Sequence, residues 1–290
     1  MDLVEEYNLL LKREENQTIR VLNDALDRSF NRVVRRVRVW LRTENAPRAE
    51  RDIAVLNELR SLVPAANPNR VDKYDRIFRK LMQSSSTKGI DVSDALVGKM
   101  AGNRPRIDVA VPLEASVAAA RQSKGYLRRH GEKFAETTAQ IVSSGITEGR
   151  SNDGIIKDMR DRLGVVKSRA EVIVRTESLR AYNDASNLYY ATNGIDLVLY
   201  YATRDDRACG ICAPRGGKVY KRSEIRVPIH PRCRCYLAPW DPELANIDPD
   251  YRAAGERHQK EMEEVITIEP TNLSRAGVFE QLAPRPVALN

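Results

Sequence analysis

All four cysteines of the chain and one of its three histidines fall between residues 209 and 235. The stretch reads Cys209-Gly-Ile-Cys212 and then, seventeen residues later, His230-Pro-Arg-Cys233-Arg-Cys235. A tetrahedral zinc ion takes thiolate and imidazole ligands, two from one Cys-x-x-Cys turn and two from a second, distant pair. His230 and Cys233 repeat the spacing of the first pair, and Cys233 with Cys235 offers another second pair. Cys209, Cys212, His230, Cys233 and Cys235 therefore compete for about four positions in a closed site. A closed shell leaves no position for water, so the zinc expected here is structural rather than catalytic. Four cysteines also permit two disulfides. No pattern of charged start, apolar run and small-residue cleavage site opens the sequence, which points to a reducing compartment and favours metal over oxidised sulfur.

At 290 residues the chain has room for about two domains and a sizeable core. Aromatic residues make up 6% and charged residues 30%, a balance that suits a helix-rich, extended protein with much solvated surface. The net charge of +8 permits contact with nucleic acid or an acidic surface without dictating the fold. No apolar run approaches the roughly 20 residues that span a bilayer, so a soluble protein or a member of an assembly is expected.

Leu, Val and Ile recur at helical spacing from Leu3 to about Thr43, with no proline before Pro47, and predict one long helix or two in line. Its second half interleaves Arg28, Arg32, Arg35, Arg36, Arg38 and Arg42 with Val33, Val34, Val37, Val39 and Trp40. Two readings fit: a contact for phosphates or an acidic partner, or a solvated helix whose arginine stems cover apolar neighbours. Further helices are expected over 48–62, 70–83 and 91–100, with Ser84 to Gly89 as punctuation and the run Ile107 to Pro112 as an extended connector. Helical periodicity returns from Glu114 to Ile141. Ser151-Asn-Asp153 caps a helix that Gly164 terminates, and Ser168 caps another that closes at Asn193-Gly194. Strand formers follow over 196–203 and 218–220. After Trp240 prolines punctuate the chain; one short helix is expected over 251–265, and the rest reads as an arm that gains order on a partner. The fold class expected is mainly α with a small α+β cysteine/histidine module of zinc-knuckle type and extended, non-globular termini. The domains expected are 1–104, helical; 105–240, with the module at 196–240; and 241–290, the arm.

The order Arg175-Thr176-Glu177, then Asp206-Arg207-Ala-Cys209-Gly-Ile-Cys212, then Lys218-Val-Tyr220, then His230-Pro-Arg-Cys233-Arg234-Cys235 resembles the phage Mu F-like minor head protein family. The resemblance covers roughly residues 116–239. It implies a head morphogenesis protein of a tailed bacteriophage, incorporated into the virion head near the portal vertex after synthesis in the host cytoplasm. Portal protein, major capsid protein, scaffold and genomic DNA are the partners it suggests. It also carries a structural part for Arg175, Glu177, Asp206, Arg207 and Arg234, with charge-assisted bonds from Arg175 and Glu177 tying the long helix to the knuckle. Two departures stand out: Tyr201 where the family often has Trp, and Gly216-Gly217 where an Asp-Gly pair is common, so no role passes to that carboxylate.

The function expected is that of a structural and interaction protein, not an enzyme. The alternative is a metal-dependent nuclease or other DNA-processing enzyme with His230 as general base; His130 and His258 lie far off in sequence, and no constellation of nucleophile, base and orienting group assembles. An ADP-ribosyltransferase rests on a three-residue match alone. A free DNA-binding regulator lacks a helix-turn-helix or repeated-finger signature.

Overall fold

The computed structural model describes residues 3–40, 53, 56–57, 73–101, 106–203, 209–247 and 249–268. Six helices and three strands are named here: α1 Leu3–Trp40, α2 Lys73–Ala101, α3 Leu113–Thr147, α4 Asn152–Thr192, β1 Leu197–Tyr201, β2 Val219–Lys221, β3 Tyr236–Trp240, α5 Pro242–Ile247 and α6 Pro249–Ile268. The fold class is therefore mainly helical with one small sheet. None of these helices is long and apolar enough to cross a membrane. The chain divides into two compact units, one of residues 1–9, 83–115 and 178–290, the other of residues 10–82 and 116–177.

In the second unit, α1 buries Leu26, Phe30, Val33, Val34 and Val37, residues three and four apart that form one stripe. The stripe packs on Phe134, Ala135 and Val142 of α3 and on Ile155, Ile156, Met159, Leu163 and Val166 of α4. At Gly145 an added Cβ would lie 2.6 Å from Cγ1 of Ile155, so α3 and α4 meet there backbone to side chain. Gly149, at φ +68°, makes the turn between them, and Ser151 caps α4 by accepting from the Gly154 amide at 3.2 Å.

The expected break at Gly164 does not occur; α4 runs unbroken through it. Gly164 costs about 1 kcal/mol of helix propensity, and buried Leu163 and Val166 on either side offset it. The punctuation expected at Ser84–Gly89 is likewise absent, since these residues lie inside α2. Thr87 bonds back to the Gln83 carbonyl at 3.0 Å and Lys88 reaches Ser84 Oγ at 2.7 Å. Gly89 is needed for a different reason than a turn: a Cβ there would stand 2.2 Å from the Tyr182 carbonyl oxygen of α4. Ser186 Oγ donates across this contact to the Gly89 carbonyl at 3.1 Å. Small polar residues that read as a loop are thus a close helix–helix contact. The sequence 48–62 falls mostly outside the described residues, as do 269–290.

In the first unit, residues 106–112 form neither helix nor strand, where the connector Ile107 to Pro112 is expected, and Asn193 holds them through two hydrogen bonds exchanged by its side-chain amide with the backbone of Ile107 at 2.8 and 3.1 Å. Gly194, at φ +72°, ends α4, with the Ile195 amide reaching back to the Tyr190 carbonyl at 2.9 Å. The sheet is antiparallel with order β2-β1-β3, so the first strand in sequence is the central one. β3 is not anticipated by the sequence because Pro239 lies within it; it is an edge strand, where the missing amide of proline is tolerated.

Where an arm is expected from residue 241, the chain first forms α5 and α6. Asp241 caps α5, its carboxylate accepting from the amides of Glu243 and Leu244 at 2.8 and 3.3 Å. Met262 of α6 is 1% exposed in the core beneath the sheet, and His258 Nε2 accepts from the Ala202 amide at 3.0 Å. The His258 ring stacks on Tyr201, 3.9 Å between centroids, and Tyr201 stacks on Tyr236. Apolar and aromatic contacts with the chain's own module therefore hold the helix expected over 251–265, which runs from Pro249 to Ile268.

Candidate metal centre

The first ligand pair sits on a tight turn after β1. The amides of Cys212 and Ala213 both donate to the Cys209 carbonyl at 3.0 Å, and the Cys212 amide also lies 3.3 Å from Cys209 Sγ. A single 3₁₀ turn, Ala213–Arg215, follows, with Pro214 fixing its start. The second pair sits on a matching turn before β3, closed by the Cys233 amide donating to the His230 carbonyl at 3.2 Å. Arg232, at φ +63°, is the only non-glycine described residue with left-handed backbone, and it makes the reversal that brings Cys233 back beside His230.

The two turns converge. His230 Nε2 stands 3.1 Å from Cys209 Sγ and 3.1 Å from Cys212 Sγ, and Cys212 Sγ is 3.8 Å from Cys233 Sγ. Cys212, Cys233 and Cys235 form a second group whose sulfurs lie within 4.8 Å of one another. Two thiolates bound at 2.3 Å to one tetrahedral ion are separated by about 3.8 Å, the Cys212–Cys233 distance. Among the described residues no carboxylate joins either group. Thiolate and imidazole donors are the set for zinc, not for a hard cation. The sulfurs and the ring line a cavity of about 20 Å³, large enough for one small body.

Neighbouring groups support the donors. His230 Nδ1 is 2.8 Å from the Pro231 carbonyl; a proton donated there leaves the Nε2 lone pair facing the sulfurs. The Tyr200 hydroxyl donates to Cys212 Sγ at 3.2 Å, and Thr203 Oγ1 donates to the Arg234 carbonyl at 2.6 Å, pinning β1 to the second turn. Sequence reading missed Tyr200. Its signal was the alternation along β1, which places Val198 and Tyr200 on one face.

The charges of the cluster conflict without a cation. Hydrogen bonding from Cys212, and then from His230, holds the Cys209 thiol down to about 4. Contacts with Cys212 and then Cys235 hold Cys233 far below the usual thiol range, while Cys212 is pushed far above it by its bonds to Cys209 and Cys233. Cys235 rises to about 12, chiefly through Cys233 and burial. His230 is pushed up to about 10 by hydrogen bonds to Cys209 and Cys233. Thiols this close cannot all ionise against one imidazolium, and a divalent cation would remove the conflict by taking the thiolates and a neutral ring together.

The remaining sequence-selected residues fall elsewhere. Arg175 bonds Glu15 Oε2 at 3.1 Å, Asn16 Oδ1 at 3.0 Å and Glu171 Oε1 at 3.0 Å, within the helical unit. Its fork reaches α1 because α1 lies alongside its own stretch of α4. Glu177 is buried at 3% exposure, and Arg234 lines the rim of the cavity. Asp206, Arg207 and Arg42 lie outside the described residues. Arg28, Arg32, Arg35, Arg36 and Arg38 are all exposed on α1.

The Gly216-Gly217 departure has a steric explanation. A Cβ at Gly216 would lie 2.4 Å from Met262 Cγ, and one at Gly217, φ +74°, would lie 2.5 Å from both the Gln259 amide nitrogen and the Gly255 carbonyl oxygen. The Met262 side chain occupies the space a side chain would need at Gly216, and the backbone of α6 occupies it at Gly217.

These features define a class: a helical protein carrying a small sheet whose strands are joined by two facing Cys/His turns able to hold a metal. Residues 136–238 match the family model described as Phage Mu protein F like protein, so this part of the chain is similar to that family. The matched stretch takes in both turns, β1, β2, most of β3 and the α3–α4 turn. No curated protein and no solved structure matches the chain.

Proposed function

We propose that the chain is a minor head protein of a tailed bacteriophage, a component of the virion that docks on portal or capsid protein during head assembly, with scaffold as a further partner at that stage. Its Cys/His module binds one structural zinc ion and acts as a rigid node. The observation that carries the reading is the coincidence of the Phage Mu F-like match with the convergent turns. Cys209, Cys212, His230 and Cys233 are the favoured ligands, since both turns have the same spacing and the same backbone closure. Cys235, also buried, lies beside this set and within reach of Cys212 and Cys233. Zinc would supply folding free energy to strands of three to five residues, too short to bury a core by themselves. His230 turns Nε2 into the sulfur cluster, which leaves the nuclease reading without its base.

The test is to purify the protein and its heads and to measure zinc per chain and co-purification with portal. One zinc per chain, retained by native protein and lost in Cys209→Ser, together with portal association, is the expected result. Zinc-free protein that ignores portal and capsid would overturn the reading.

A further inference from the structure

The strongest unassigned surface is the outer face of α1. With 100° per residue, Arg28, Arg32, Arg35 and Arg36 fall within an arc of about 100°, directly opposite the buried stripe of Leu26, Phe30, Val33, Val34 and Val37. All four arginines are exposed, and Val39, 59% exposed, lies on the same arc. The helix changes character at this point. Its preceding turns mix signs, with Lys12, Arg13, Glu14, Glu15, Arg20, Asp24 and Asp27, whereas from Arg28 to Trp40 there is no acidic residue and no lysine. A face built for solubility mixes Lys with Glu. One built only of arginine presents planar forks that fit phosphate oxygens two at a time. The helix dipole favours cations only in the last turn, so it accounts for Arg38 and not for Arg28 or Arg32. Arg38 is moreover 3.9 Å from Asp153.

We propose that this arginine face binds the phosphate backbone of duplex nucleic acid without reading its sequence. At 1.5 Å per residue, Arg28 to Arg36 spans about 12 Å, the axial length of three to four phosphates of one strand at 3.4 Å each. The inference goes beyond the head-protein reading and stands on separate residues.

The experiment titrates the full zinc-loaded chain into a labelled mixed-sequence duplex over a range of salt. Binding should weaken with a log–log salt slope of about −3 to −4, near −0.9 per phosphate neutralised. The variant R28Q/R32Q/R35Q/R36Q should lose most of that slope and at least about tenfold in affinity at low salt, while its helicity, zinc content and portal association stay native. The Lys quadruple variant should keep most of the slope. If the Gln variant loses helicity, R28Q/R32Q and R35Q/R36Q are read separately, each expected to remove about half of the slope. Native protein that fails to bind duplex at low salt, or a folded Gln variant with an unchanged slope, overturns the proposal. So does poly-glutamate binding as tightly as duplex and lost in the same variant, which assigns the face to an acidic protein. Because zinc and portal association are scored on the same samples, failure here is distinguishable from failure of the head-protein reading.

Discussion

The core cluster of the helical unit is made of Leu, Ile, Val, Phe, Met and Ala, with neither tyrosine nor cysteine, whereas the cluster beneath the sheet contains Tyr189, Tyr190, Tyr200, Tyr220, Cys212, Cys233 and Cys235. The helices satisfy their own backbone, so their interface needs only apolar stripes at helical spacing. Three strands of three to five residues leave polar ends to be matched, and tyrosine brings both apolar area and a hydroxyl to do so. Tyr190 donates to the Leu237 carbonyl at 3.2 Å, Tyr189 to Asp94 at 2.5 Å and Tyr200 to Cys212. One core is held by area, the other by a few directed bonds. Their failure modes should differ accordingly.

The largest effect should come from removing the zinc proposed for the module. Chelation, or Cys212→Ser, withdraws a binding free energy on the order of 10 kcal/mol, more than so small a sheet can lose. The near-ultraviolet tyrosine signal should collapse while most far-ultraviolet helicity remains; simultaneous loss of both would break the distinction between the two cores. Next in size, Phe30→Ala should destabilise the helical unit by about 3–5 kcal/mol in denaturant melts and leave bound zinc unchanged. Zinc release by this variant would show that the cores are not energetically separate. Smaller, and local to α6, is Gly217→Ala, which sets a side chain at left-handed φ against helix backbone and should cost about 1–3 kcal/mol. Hydrogen exchange over residues 249–268 should quicken while zinc stays bound; unchanged exchange would show that α6 adapts at no cost.

The clustering of Cys209, Cys212, His230, Cys233 and Cys235 was legible in the sequence because ligand chemistry is local: spacing within a turn determines which atoms can face one another. The ends of α4 were legible for the same reason, Ser151 and Gly194 being side-chain and backbone devices that act within a few residues. Continuity of α2 and α4 was not, because Ser84–Gly89 and Gly164 have weak helix propensity and are held helical by packing from elsewhere. β3 was hidden by Pro239, whose place at a sheet edge is a fact of topology. The partners of Arg175 on α1 were hidden for a related cause, since the guanidinium meets residues 159 and 160 positions away.

The strand order β2-β1-β3 also sets a timetable. β1 leaves the ribosome first and is flanked on both sides in the finished sheet, yet its second neighbour begins only at Tyr236 and its supporting Met262 follows later still. Until then a central strand with Val198, Leu199 and Tyr200 has no lasting cover, the kind of exposed edge on which nascent chains associate. The two Cys/His turns bracket the wait: the zinc proposed here, captured once Cys233 has emerged, would draw the chain before β3 back towards β1 and so act as a checkpoint in synthesis before bracing the folded module.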